Sequence, residues 1–183
     1  MFIGKSKPPE TGLDALGPGP VHALVDHIQS THHEYLKREL PLINQLVARV
    51  TRAHGSEYPS LVELRSLVEE LSAELHSHMM KEENVLFPMA RAMSRGQKSA
   101  EDPLGGIENP IEVMELEHAD TNQTLAKMRA VTRNFRLPDG AVSDHRALFD
   151  RLRCLEEDLI EHIRKENKLL HPMLRALSRQ EIP

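Results

Sequence analysis

The chain has 183 residues, with 23 basic and 28 acidic side chains and a net charge of -5, enough for one well-filled domain and too few for two ordinary ones. The two signs are interspersed, so no basic face is offered to nucleic acid or to an anionic membrane surface. The single cysteine, Cys154, excludes an internal disulfide, a CxxC redox pair and a thiolate metal cluster held by one chain. No apolar run approaches the ~18 residues that a bilayer span requires, and the first 20 residues lack the apolar centre of a signal peptide. The expectation is a soluble, cytoplasmic protein in a reducing compartment.

Residues 1–20, with several glycines and prolines and no apolar periodicity, read as a flexible leader. From Val21 the apolar residues fall at helical spacing, and Leu36, Leu40, Ile43, Val47 and Val50 form a stripe that His54-Gly55 ends. Tyr58-Pro59-Ser60 restarts the pattern, with Leu64, Leu67, Leu71, Leu75 and His78 on one face as far as the region of Pro88. A loop over residues 94–109 leads to Asn109-Pro110, read as a cap followed by the first helical residue of a third helix that runs to about Phe135. Leu137-Pro138-Asp139-Gly140 is a turn. A fourth helix starts near Val142 or Ser143 and carries Leu148, Leu152, Leu155, Leu159 and His162 on one side toward Ser178. No strand alternation survives, and the two tight connections require antiparallel neighbours. The predicted class is therefore all-α, an antiparallel up-down four-helix bundle over residues 21–179.

The second and fourth helices repeat one another. At a constant offset of 84, residues 78–95 match residues 162–179 at ten of eighteen positions, including His78, Glu82 and Pro88 against His162, Glu166 and Pro172. Pro88 and Pro172 each remove a helix hydrogen bond and crowd the turn before them, so each is expected to kink its helix or to start a new segment beyond the site.

Eleven histidines stand out in a chain with so few aromatic residues. Height in an antiparallel hairpin can be counted from its turn at about 1.5 Å per residue. Counted from a first turn near residue 56, His78 lies level with the pair His32-His33; counted from a second turn near residue 140, His162 lies level with His118. Four helices thus bring a histidine to one layer. On two of them a glutamate one turn on, Glu82 and Glu166, projects from the same face as its histidine. A lone HxxxE is usually a surface pair or a hydrogen-bonded core histidine, but four in register describe a metal cage. Imidazole and carboxylate without thiol suit iron, manganese or zinc. Four nitrogens and two carboxylates are too many for one ion and fit two, each taking two histidines with the glutamates bridging.

Periodicity leaves His32 and His33 undecided. His27 is about 120° round the helix from His33 and reads as a polar neighbour. His54 stands about 31 Å along a straight helix from His33 and cannot share its site. His22, His76, His145 and His171 read as surface or packing residues, and Cys154 as core. Glu74 and Glu117 are candidates to orient imidazoles or relay protons, and equally solvated helix residues.

The phrases HxHMMKEExxLFPM (residues 76–89), VMELEH (113–118), EHIxxEN (161–167) and LVDHI (24–28) resemble the hemerythrin-like family, whose four-helix bundle holds a non-heme di-iron centre. Within that family the chain looks most like the iron-sulfur cluster repair proteins of the RIC or ScdA type, over nearly all of residues 21–178. The placement of RELP (38–41) implies that His33 is the ligand from the first helix. The resemblance implies His78, His118 and His162 as the other histidine ligands. It implies Glu82 and Glu166 as carboxylates bridging two iron ions that also share an oxo or hydroxo bridge. Two departures matter. Asn122 stands where oxygen-carrying hemerythrins have a further histidine, which speaks against a simple oxygen store. The cysteine-containing N-terminal domain usual in the repair proteins is expected to be missing, since residues 1–20 hold no cysteine.

The implied function is a response to nitrosative or oxidative stress, by reaction with nitric oxide or by supply of iron to damaged iron-sulfur clusters. The implied partners are a diatomic ligand, nitric oxide or oxygen, and iron-sulfur proteins. The alternative is a hemerythrin-like binding module that senses or sequesters oxygen, nitric oxide or iron without turnover. A ferritin-like oxidase would need two ExxH motifs, and only Glu115 to His118 fits one.

Overall fold

The structure is a computed structural model that describes residues 21–96 and 106–180; the expected leader and the middle of the 94–109 loop lie outside these residues. Four long helices make up the bundle. Helix α1 covers residues 21–54, as α-helical Val21–Ile28, a π-helical turn Gln29–His33 and α-helical Glu34–His54. Helix α2 covers residues 60–93, as Ser60–Lys81, a π turn Glu82–Leu86 and Phe87–Met93. Helix α3 is Glu108–Val131 without interruption. Helix α4 covers residues 143–180, as Ser143–Lys165, a π turn Glu166–Leu170 and His171–Gln180. Among the described residues there is no strand, and no helix is long and apolar enough to cross a membrane.

The predicted stripes are the buried faces. Leu36, Ile43 and Val47 of α1, Leu64 and Leu71 of α2, and Leu148, Leu152 and Leu159 of α4 join one apolar cluster with Leu125 and Met128 of α3. A second cluster gathers Val25 and Ile28 of α1, Leu86 and Phe87 of α2, Ile111 and Met114 of α3, and Leu170 and Leu174 of α4. Helix α1 packs closely on α2 and α4, and α2 on α3.

Pro88 and Pro172 are each preceded by a π turn, beyond which a further α-helical segment follows. Proline gives no N–H to the preceding turn, and its ring crowds the carbonyl there. The turns widen instead, closing through the Phe87 N–H to the Glu82 carbonyl and the His171 N–H to the Glu166 carbonyl. The turn Gln29–His33 in α1 closes in the same way, from the Glu34 N–H to the Gln29 carbonyl. It has no proline beside it.

Helix α3 departs from expectation at both ends. It begins at Glu108 after Ile107, not at an Asn109 cap. Ile107 is buried in the second cluster, and its carbonyl takes the first bond, from the Ile111 N–H at 3.2 Å. Asn109 and Pro110 thus fall in the first turn, where a missing N–H costs nothing. The helix stops at Val131, short of Phe135. Arg133, Asn134 and Phe135 take left-handed φ values of 51°, 58° and 55°, each costing roughly 1–2 kcal/mol for a residue with a side chain. The reversal swings Phe135 back into the core beside Phe149. It is held by the Asn134 N–H on the Arg129 carbonyl at 2.8 Å and the Phe135 N–H on Thr132 Oγ1 at 2.9 Å. The Arg153 guanidinium donates to the Phe135 carbonyl.

The turn over Pro138 and Gly140 forms as read, with Gly140 at φ 77° and the Ala141 N–H on the Pro138 carbonyl at 3.2 Å. Chemical denaturation should show Gly140→Ala losing about 1–2 kcal/mol, because a Cβ is strained at that φ. Leu64→Ala, at a fully buried site, should lose about 2–5 kcal/mol through the cavity it leaves. Equal losses from the two would contradict the placement of the core.

Candidate metal centre

Between the two apolar clusters lies a polar layer. His33 enters it from α1, His78 and Glu82 from α2, His118 from α3, and His162 and Glu166 from α4, none more than 4% exposed. All six residues singled out in the sequence are brought together. Of the undecided pair, His33 faces the glutamates, and His32 turns away to Asp158 and Lys165. Consecutive residues of a helix point about 100° apart, and here both directions are buried.

Each glutamate stands between two imidazoles. Glu82 Oε2 is 3.1 Å from His33 Nε2 and 3.4 Å from His78 Nε2. Glu166 places Oε2 3.0 Å from His118 Nε2 and Oε1 2.9 Å from His162 Nε2. One set of potential ligand atoms, from His33, His162, Glu82 and Glu166, lies within 4.8 Å of one another, and so does a second set from His78, His118 and Glu166. Each set takes one histidine from each hairpin.

The donors fit a hard or borderline cation. They are imidazole nitrogen and carboxylate oxygen alone. His33 Nε2, both oxygens of Glu82 and Glu166 Oε2 are buried and make no hydrogen bond of good geometry among the described residues, a costly state that a cation would relieve. Burial, then the charge of Glu166, raises the pKa of the Glu82 carboxyl. Burial acts the same way on Glu166, but His162 and His118 outweigh it and hold that carboxyl well below the usual range. Burial would lower His33 and His118, and Glu82 and Glu166 respectively reverse the sign and raise them.

The outer nitrogens of three cage histidines are also held, which fixes ring orientation. His33 Nδ1 is 2.7 Å from Glu83 Oε1, His78 Nδ1 2.9 Å from Glu117 Oε2, and His118 Nδ1 2.9 Å from Asn167 Oδ1. Lys37 grips Glu83 at 2.8 Å, and Lys81 grips Glu117. Glu117 therefore orients an imidazole, one of the two roles considered for it. Glu74 is exposed and lines a cavity of about 240 Å³ that reaches His78 between α2 and α3, alongside Lys81, Glu117 and Asp120. Partial burial, then Glu70 and Asp120, raises its pKa.

Glu83 and Asn167 escaped the sequence reading, although a signal exists: they are related by the same offset of 84 and each follows a cage glutamate. Lys165 also went unnoticed. Only 7% exposed, its ammonium lies 2.9 Å from His32 Nε2 and 3.0 Å from His27 Nε2. The His32 ring is stacked 5.1 Å from that of His162 at 4°. His27 is thus a polar neighbour, as read. His54 sits at the far end of α1. His22 and His76 are exposed, and His145 and His171 are buried. Cys154, expected in the core, is only half-buried.

Residues 24–174 match the Hemerythrin HHE cation binding domain. The chain is 38% identical over 156 residues to proteins named iron-sulfur cluster repair protein YtfE, from Yersinia pseudotuberculosis serotype IB (strain PB1/+) and Yersinia pestis (strain Pestoides F). In each case the alignment covers 84% of this chain and 65% of the relative, so the chain spans a little under two thirds of the length of these proteins. With a domain match over most of its length, in a helical bundle with a buried His/Glu cluster, the chain belongs to the hemerythrin HHE cation-binding family.

Proposed function

We propose that the cage holds two non-heme iron ions, one served by His33 and His162 and the other by His78 and His118, with Glu82 and Glu166 bridging them. We propose further that the protein acts in the response to nitrosative or oxidative stress, reacting with nitric oxide or supplying iron to damaged iron-sulfur clusters, with those cluster proteins as its clients. The observation that carries this reading is that each buried carboxylate lies within 3.4 Å of two imidazole nitrogens, while four of the polar atoms so gathered make no hydrogen bond of good geometry among the described residues. Similarity to the repair proteins supports the physiological role.

Bound iron would supply a Lewis-acidic, redox-active centre able to take a small ligand. The chain's own residues do the rest. Glu83, Glu117 and Asn167 fix the rings of His33, His78 and His118, so the inward nitrogens stay aimed at the layer. The two apolar clusters exclude bulk water from both sides. The cavity at His78 gives a small ligand or an ion a way in from solvent, past the carboxylates of Glu74, Glu117 and Asp120. Asn122, one turn after His118, is exposed and adds no donor to the layer, so α3 contributes a single histidine.

Anaerobic reconstitution should load about two irons per chain, and Glu82→Ala should lose most of them. His54→Ala should keep them, because α1 carries that residue away from the layer. Fewer than one iron in the wild-type chain, or equal loss from the two variants, would contradict the reading. Glu117→Ala should weaken iron binding by about 10- to 100-fold, the usual cost of freeing a ligand imidazole; unchanged affinity would remove Glu117 from the site. In a stopped-flow spectrometer the reduced protein should take up nitric oxide readily and be oxidised by air. A stable, reversible oxygenated spectrum with no response to nitric oxide would favour an oxygen-binding module instead.

A further inference from the structure

His171 sits beside the cage but outside the proposed ligand set. In an α-helix a residue five beyond Glu166 would point about 140° away from it. The π turn Glu166–Leu170 reduces that rotation by closing from the His171 N–H to the Glu166 carbonyl. His171 consequently shares the inward side of α4 with Glu166, and both are fully buried. The offset of 84 pairs His171 with Phe87, and the two rings do comparable packing. Phe87 lies 5.4 Å from the His33 ring at 24°, and His171 lies 6.0 Å from the His118 ring at 8°. Packing alone is thus served by phenylalanine, and the imidazole brings two nitrogens that packing does not need.

One of those nitrogens has a carboxylate partner. His171 Nδ1 is 3.3 Å from Glu115 Oε1. Arg175 clasps Glu115 with two contacts, 2.9 Å to Oε1 and 3.2 Å to Oε2, and is itself tied to Glu108 at 2.8 Å. A carboxylate can only accept, so the proton sits on Nδ1 and Nε2 is left with its lone pair. That Nε2 is buried and makes no hydrogen bond among the described residues. Buried polar atoms in folded proteins find a partner in protein, water or ligand. Besides burial, the groups that act most on this ring are Glu166 and His118, both members of the cage.

We propose that His171 Nε2 accepts a hydrogen bond from a protonated small ligand, water or hydroxide, held on the His118 side of the centre. Phe87 cannot do this on the His33 side, so the two halves of the cage are chemically unequal. His171 is then a positioning residue that retains solvent at one half and makes an incoming anion compete for it. The inference rests on the two-iron reading above.

The test is an azide titration of the iron-loaded oxidised protein, followed by absorption, with iron content measured on the same samples. Replacing the acceptor with an apolar ring in His171→Phe should free the retained solvent and tighten azide binding about tenfold, roughly the worth of one hydrogen bond. His171→Gln, whose amide oxygen can accept, should stay near wild type. If phenylalanine disturbs the fold, His171→Leu takes its place, with the same tightening expected. Full iron content with one azide affinity across wild type, His171→Gln and the apolar variant would overturn the role of His171. Sub-stoichiometric iron in the wild-type protein would overturn the two-iron reading itself.

Discussion

Two carboxylates buried to 0% exposure in one layer are the constraint around which this bundle is organised. Burying an ionised carboxylate without compensation costs far more than a domain of this size has to spare. The chain answers with four imidazoles, two against each glutamate, and with charges set behind the imidazoles. The Glu83 carboxylate and the Lys37 ammonium back His33, and Glu117 and Lys81 back His78. Protein alone leaves the compensation incomplete, since both oxygens of Glu82 lack hydrogen bonds among the described residues. The proposed cations complete it.

The backbone is shaped to the same end. Three of the four helices carry a π turn, and each turn contains a residue of the polar layer: His33, Glu82 or Glu166. A π turn shifts the phase of a helix, so the apolar face on one side of the layer and that on the other can both point inward. In α1, α2 and α4 the turn lies between the residues that fill the two clusters, whereas uninterrupted α3 reaches both without one. The potential ligand sets also cross between hairpins, joining His33 to His162 and His78 to His118. A cation shared in this way would tie α1 to α4 and α2 to α3, so that holding metal and holding the hairpins together are one interaction.

Much of this was legible in the sequence, for identifiable reasons. Helical periodicity marked the buried stripes because a bundle buries one face of each helix. Counting from the turns placed His78 level with the pair His32-His33, and His162 level with His118, because rise per residue is nearly constant. The contents of the layer followed. The end of α3 was not legible: Phe135 continues an apolar pattern, and only its three-dimensional setting shows that it packs back through a left-handed reversal. The choice of His33 over His32 was equally hidden from periodicity, since both are buried, one toward the glutamates and the other toward Asp158 and Lys165. Glu83 and Asn167 were within reach through the repeat. Lys165 was not, because its partners His27 and His32 come from a different hairpin.

The central claim is that the layer is built for two cations shared by two carboxylates. Anomalous diffraction at the iron edge, from crystals of the iron-loaded protein, tests it most directly. The account predicts two peaks between Glu82 and Glu166, one beside His33 and His162 and the other beside His78 and His118. A single peak, or density away from this layer, would contradict it.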